Sequence, residues 1–337
     1  LEFIHTSNKP SVSSEYNSSI YNIARNQLDS SIINRSELDI RQFSNVFNAY
    51  SVIDLDTSGR RINIDVNRIY YNSSSVNDFV SESYDALGKF IEGSRHFAIN
   101  SGDLHAIITT AGVDFEAPTK IANFNFGSKL SFIENQSNTA MLFTNQSTQS
   151  QLNDFIYKER TQALYVSATK KISSNLEVQI GLRGENTQTT GVPDTVSSTI
   201  KNSFVRIFPT MFLLYQLNDK KTLSLTYDRR IDRPPYNYLN PFRRYSNAYN
   251  YSEGNPFLQP YITNNIQASF GYNTWSTTLY SSFISNRFDQ VTFVDSMSNV
   301  QRITPINFYN QLNVGLVQQF SFNLKERWEN HSGMIVF

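Results

Sequence analysis

Residues 176–183 read LEVQIGLR: Leu176, Val178, Ile180 and Leu182 fall on one side of an extended chain, and Glu177, Gln179, Gly181 and Arg183 on the other. Successive side chains of a β-strand point to opposite faces, so this alternation predicts a strand with one apolar and one polar side. The pattern recurs in RINIDVN (61–67), where Ile62, Ile64 and Val66 oppose Asn63, Asp65 and Asn67. It recurs again in IQASFGY (266–272), where Ile266, Ala268, Phe270 and Tyr272 oppose Gln267, Ser269 and Gly271. No run approaches the roughly 20 apolar residues of a transmembrane helix.

Composition narrows what such strands can build. The 337 residues allow two ordinary domains or one large all-β unit. Formal net charge is zero, so no bulk field favours nucleic acid. The absence of cysteine excludes disulfides, thiolate metal sites and cysteine nucleophiles. Hydrophobic residues make up only 39%, yet aromatics reach 14%. A disordered chain would be poor in aromatics, whereas a transmembrane barrel uses them as interfacial girdles and makes up the rest with polar lumen and loop residues.

The connections alternate in length. Short ones are read near Asp56–Arg60, Phe115–Lys120, Lys171–Asn175, Asn218–Lys221, Tyr272–Trp275 and Glu326–Ser332. Long ones are read near Ser73–Gly102, Asn135–Asp154, Thr187–Asn202, Arg233–Ile262 and Asp295–Ile303. Outer-membrane barrels alternate short periplasmic turns with longer extracellular loops, and a soluble sandwich has no reason to do so. The expected fold is all-β: a transmembrane antiparallel up-and-down barrel, present in part, with about twelve strands of a barrel of about 22. Residues 47–337 carry the strands. Residues 1–46, rich in Ser and Asn, are read as irregular, an extracellular loop or the start of a fragment, with SSIYNIARNQL as a short helix or no regular element. The opening LEFIHTSNKP lacks the basic and apolar regions of a signal peptide, so the sequence reads as an internal piece of a longer chain.

One segment interrupts the alternation with a different chemistry. NPFRRYSNAYNYSEGNPFLQP (240–260) is crowded with Asn, Tyr and Pro, and prolines 234, 235, 241, 256 and 260 stiffen its backbone. Here a family resemblance emerges. Residues 208–272 carry a strand, an Asn-Asp turn, a strand ending in Arg229-Arg230-Ile231-x-Arg233-Pro234, then Leu239 to Phe242, then Gly254-Asn255-Pro256-x-Leu258-x-Pro260. This order resembles the outer-membrane β-barrel family of the Bacteroidota, barrels that look like TonB-dependent receptors. LEVQIGLRGENTQTTG (176–191) is similar to the family's Gly-Leu-Arg-x-Glu strand. The resemblance implies a Gram-negative outer-membrane location and uptake of a nutrient ligand through loops, plug and TonB. It implies as partners the rest of the barrel, an N-terminal plug, TonB, a surface lipoprotein and outer-membrane lipid. No plug, TonB box or closing strand is visible in these residues, and a non-transporting barrel serving as an anchor or adhesive component is the alternative.

Candidate ligand-binding residues are therefore Arg230, Arg233, Tyr236, Tyr238, Arg243, Arg244, Tyr245, Tyr249 and Tyr251. Arginines recognise carboxylates in bidentate fashion, and tyrosines stack on sugars or aromatic ligands. The competing reading pairs the arginines with Asp228, Asp232 and Glu253 as loop struts and packs the tyrosines within the loop. A calcium template at Asp54, Asp56, Ser58, Gly59 and Asp65 lacks its final Glu and overlaps the alternation that starts at Ile62, so a tight hairpin explains it better. His5, His96, His105 and His331 are scattered, no nucleophile elbow or phosphate loop occurs, and the Asn-x-Ser/Thr triplets follow from composition. No catalytic residue, metal or cofactor is expected.

Overall fold

The computed structural model describes residues 1–22, 24–144, 150–193, 199–247, 250–295, 300–323 and 329–336, with side chains at 144, 193, 245–247 and 321–336 outside the description. Its strands are β1 (Glu2–Asn8), β2 (Ser11–Asn22), β3 (Gln27–Asp54), β4 (Arg61–Asp85), β5 (His96–Pro118), β6 (Asn123–Thr144), β7 (Gln151–Ser173) and β8 (Leu176–Pro193). They continue as β9 (Ile200–Asn218), β10 (Lys221–Asp232), β11 (Arg244–Asn247), β12 (Asn250–Ser252), β13 (Tyr261–Tyr272), β14 (Trp275–Val294), β15 (Gln301–Asn323) and β16 (Glu329–Val336). One helical turn, α1 (Tyr236–Leu239), lies between β10 and β11.

Among the described residues the sixteen strands form one sheet, whose path does not close on itself. Strands β3 to β10 and β13 to β16 follow one another as antiparallel neighbours, the up-and-down run that the alternation predicts. The apolar side of each strand points away from the protein: Ile180 is 56% exposed, Leu182 50%, Ile266 52% and Leu312 64%. Water would not tolerate such a continuous surface, whereas lipid would solvate it. The opposite face is polar and is the one on which residues 233–260 pack; it is called the inner face below. There Tyr165 lies directly opposite Gly127, and a Cβ at Gly127 would come within 2.2 Å of its ring. The bare backbone lets the phenol lie across β6 and donate to Asp114 Oδ1 on β5 at 2.7 Å.

Two expectations are corrected. Residues 1–46 are not irregular: β1 and β2 both pair with β3, and the SSIYNIARNQL patch is the β2–β3 hairpin rather than a helix. Asn is depleted in strands by intrinsic propensity, but the ladder satisfies the backbone of this Ser- and Asn-rich segment, and Ser14 Oγ lies 2.8 Å from Ser36 Oγ across the pair. Most of the expected long connections are also strand. β3 runs for 28 residues and β4 for 25, far beyond the roughly 9–11 needed to cross a bilayer. The polar stretch from Ser73 to Asp85 keeps its ladder with β3. Only 86–95 and 233–260 remain as long connections among the described residues, opposite the turns at 55–60, 119–122, 174–175, 219–220 and 273–274. The Glu326–Ser332 turn falls partly outside the described residues, and Ser332 itself lies in β16. At 55–60 Asp56 Oδ1 accepts from Ser58 N (2.8 Å) and Ser58 Oγ (2.6 Å), and Gly59 has φ +87°: the tight hairpin.

At the far end of β4, beyond the apolar band, Glu82 is buried between Arg95 of the 86–95 connection (Nε to Oε1, 2.6 Å), Tyr84 (3.0 Å) and Arg35 of β3 (3.2 Å). The hydrogen bond from Arg95 holds its carboxyl below the usual range, against the opposing effect of burial. A depressed carboxylate stabilises the folded form fully above its unfolded pKa and loses that contribution as pH falls through the folded value. Exchange protection of amides in 86–95, taken relative to each amide's free-peptide rate at the same pH, should therefore persist at neutral pH and be lost as pH falls through the carboxylate range; Glu82→Gln should lower it throughout. Separately, Ile180→Arg should destabilise the assembled barrel in vesicles by about 2–4 kcal/mol, and Gln179→Arg by much less, as read by urea titration.

Candidate functional site

Asp232 at the end of β10 and Tyr261 at the start of β13 are direct partners in the ladder, so everything from 233 to 260 is an excursion from one hairpin. Pro235, with φ −64°, precedes the turn of α1 and fixes the chain's direction there. The segment then crosses the inner face. Tyr236 donates its hydroxyl to the Phe155 carbonyl on β7 (3.0 Å) and stacks on the Phe155 ring at 5.5 Å. Asn240, buried, donates to Ser137 Oγ on β6 (3.3 Å) and accepts from Asn153 Nδ2 on β7 (3.1 Å) and from the Phe242 amide (3.1 Å). Leu239 and Leu258 pack on Phe155, and Phe242 packs with Phe79, Ala98 and Met141. Each such side chain contributes about 1.5–3 kcal/mol by leaving water.

The return leg locks against the outward leg. The amides of Gly254 and Asn255 donate to the carbonyls of Asn240 (2.9 Å) and Tyr238 (2.6 Å). A Cβ on Gly254 would sit 2.3 Å from the Asn240 carbonyl oxygen, so only glycine permits the crossing. Asn255 Nδ2 donates to the Pro305 carbonyl and the Gln259 amide to Asn307 Oδ1, while β12 pairs in parallel with β15. The segment is thus a brace from the wall of β4–β7 to β15.

Its polar root is Arg233. The guanidinium sits between Glu159 of β7 (2.9 Å) and Glu185 of β8, and also donates to Thr187 Oγ1 (3.1 Å). Arg183 donates two hydrogen bonds to Glu185 Oε2 (3.2 and 3.0 Å), and Tyr157 donates to Glu159 Oε2 (3.0 Å). On this strand the outward side is already polar, at Asn186, Gln188 and Thr190, so the cluster lies above the apolar band. Burial alone would raise the Glu185 carboxyl; Arg233 and Arg183 outweigh it and hold it below the ordinary range. Burial, reinforced by Glu159, pushes the Tyr157 phenol up, so it stays a donor. Two sequence motifs meet here: Arg183 and Glu185 come from the Gly-Leu-Arg-x-Glu strand, and Arg233 from the Arg-Arg-Ile-x-Arg-Pro run.

The candidate residues divide accordingly. Arg233, Tyr236 and Tyr238 are struts, Tyr238 meeting Phe288 edge-on at 6.1 Å. Arg230 pairs with Asp228 (2.7 Å) but keeps its side chain 69% exposed. Arg243 donates to Glu253 Oε2 (3.0 Å) and lies 5.0 Å from the Tyr251 ring centroid. Arg244 is exposed at the start of β11. Tyr249 and the Tyr245 side chain lie outside the described residues. Asp228 and Glu253 serve as partners as the strut reading has it; Asp232 instead accepts from Thr263 Oγ1 (2.9 Å). Nothing around Glu159 in the sequence marks it as a participant, since it is one charge on a strand of mixed polarity, whereas Glu185 lies in the Gly-Leu-Arg-x-Glu motif.

Arg233→Ala would leave two buried carboxylates without their shared cation. It should cost about 1.5–3 kcal/mol and open 233–260 to limited proteolysis, and Arg233→Lys should restore little, because a point charge cannot span both carboxylates as a planar guanidinium does.

No curated protein matches the chain. Among solved structures, similar folds include the copper transporter OprC (9% identity, 98% of this chain and 61% of that one, TM-score 0.50). The siderophore receptor PirA from Pseudomonas aeruginosa gives 11% identity, 97% and 66% coverage and a TM-score of 0.49. The ferric preacinetobactin receptor BauA from Acinetobacter baumannii gives 11%, 99% and 61%, and 0.44. The chain thus spans less than two thirds of the length of each of these proteins. The likeness to OprC, at 9% identity, is one of fold alone. Residues 53–337 match the model of the outer membrane protein beta-barrel family, and the chain belongs to that family.

Proposed function

We propose that this chain supplies barrel wall and ligand-capture surface to a TonB-dependent outer-membrane receptor that imports a nutrient. The observation that carries the reading is the brace at 233–260. A loop needed only to join β10 to β13 could be two residues long, because those strands pair along their whole length. Instead it is built across the inner face and presents Arg243, Arg244 and Tyr251 on its accessible side. In this reading the short turns are periplasmic, the 86–95 and 233–260 ends are extracellular, and Arg230 belongs to the same mouth. The remaining strands, an N-terminal plug, TonB and a surface lipoprotein complete the machine. The chain performs no chemistry of its own.

Topology is tested with introduced cysteines, since these 337 residues contain none. Leu87→Cys, 93% exposed in the 86–95 connection, should react with an impermeant thiol reagent on intact cells. Ser58→Cys, in a short turn, should react only after the outer membrane is permeabilised; the reverse order would invert the topology. Uptake is tested by mass spectrometry of spent medium. A strain deleted for the gene should leave behind at least one solute that wild type depletes, and a strain lacking TonB should leave the same one. Identical depletion by deletion strain and wild type would favour a non-transporting anchor barrel.

A further inference from the structure

A cavity of about 680 Å³ lies between the brace, the start of β7 and the start of β15. This is the size of a small-molecule site. Its apolar walls include Phe242, Phe257 and Ile306. Among the described residues its charged lining consists of Arg243, Glu253 and Arg302. Glu253, largely buried, accepts from Arg243 Nε (3.0 Å) and Arg302 Nη1 (3.2 Å), so one carboxylate is shared by two guanidiniums and the lining keeps one positive charge in excess. Each guanidinium is also held against a ring, Arg243 by Tyr251 and Arg302 by Phe293, both at 5.0 Å from the centroid. Their side chains remain 48% and 43% exposed. A pair of cations fixed in direction by a shared carboxylate and by aromatic faces, and still open to the cavity, is pre-organised for an anion.

We propose that this cavity binds a small ligand carrying one anionic group, a carboxylate or an equivalent oxyanion, on an apolar body. The anionic group pairs with the exposed guanidinium of Arg302 on the side away from Glu253, in the positive field of the neighbouring Arg243, and the body rests on Phe242, Phe257 and Ile306. The guanidiniums set charge selectivity, because the planar fork matches an oxyanion in two-point contact. Glu253 orients both arginines and competes with the ligand for them, which sets a ceiling on affinity. This deepens the capture reading above by giving the ligand a chemical class, and its test does not require transport.

The test is equilibrium dialysis of the intact barrel in lipid nanodiscs against 2-naphthoate and its neutral analogue 2-naphthamide. The acid should bind about five- to tenfold more tightly than the amide. Arg302→Gln should abolish the preference, Arg302→Lys should keep part of it, and Glu253→Gln should strengthen binding of the acid. Equal affinity for acid and amide would overturn the proposal. So would an unchanged preference in Arg302→Gln when that variant keeps the wild-type resistance to unfolding in detergent. Preference for the acid together with no uptake phenotype would uphold the site and overturn the transport reading; loss of uptake in the deletion strain with no acid preference would do the opposite.

Discussion

A peptide group in hydrocarbon has no water to bond to, and an unpaired one costs several kcal/mol. Everything else in this protein follows from meeting that requirement with strands. The ladder from β3 to β10 and on through β13 to β16 pairs the backbone between neighbours, and a period of two in the side chains then suffices to give lipid one face and water the other. The same requirement explains why apolar side chains such as Ile180 and Leu312 lie on the surface. The buried clusters are small, and they occur where the brace presses on the inner wall.

Much of this was legible in the residues. Alternation in LEVQIGLR, RINIDVN and IQASFGY fixed strand identity and facing, because the period is set by backbone geometry and survives any tertiary context. Strand length was not legible. Ser73 to Asp85 carries Ser, Asn and Asp, residues that favour turns when the chain is alone, and only the partner strand β3 shows that they are paired. The first 46 residues failed for the same reason: Ser11–Asn22 has little intrinsic tendency to extend, and becomes a strand because β3 offers it a ladder.

The brace shows a different limit. Proline spacing and Gly254 announced a built segment, but what it was built against could not be read. Arg233 finds Glu159 and Glu185 on two other strands, and Asn240 finds Ser137 more than a hundred positions away. Arginine beside Asp228 and Asp232 in sequence looked paired locally. In space Arg233 turns to the wall, since Asp232 is held by Thr263 and two carboxylates already partly supported by Tyr157 and Arg183 wait on the inner face. Charge partners across a sheet are set by register and inward facing, and neither leaves a mark near the arginine itself.

The parallel pairing of β12 with β15 has a consequence in time. Antiparallel neighbours joined by two-residue turns can zip as soon as both strands exist, since the loop to be closed is short. Residues 250–252 have no such route: their partner, 301–303, arrives only after β13 and β14 have been threaded between, and Asn240 needs β6 and β7 already in place. The brace therefore settles only after the hairpins between it and β15 have formed. A wall caught midway through insertion would have the hairpins before β15 formed and its mouth still unfurnished, so the seating of 233–260 reports that β15 has arrived.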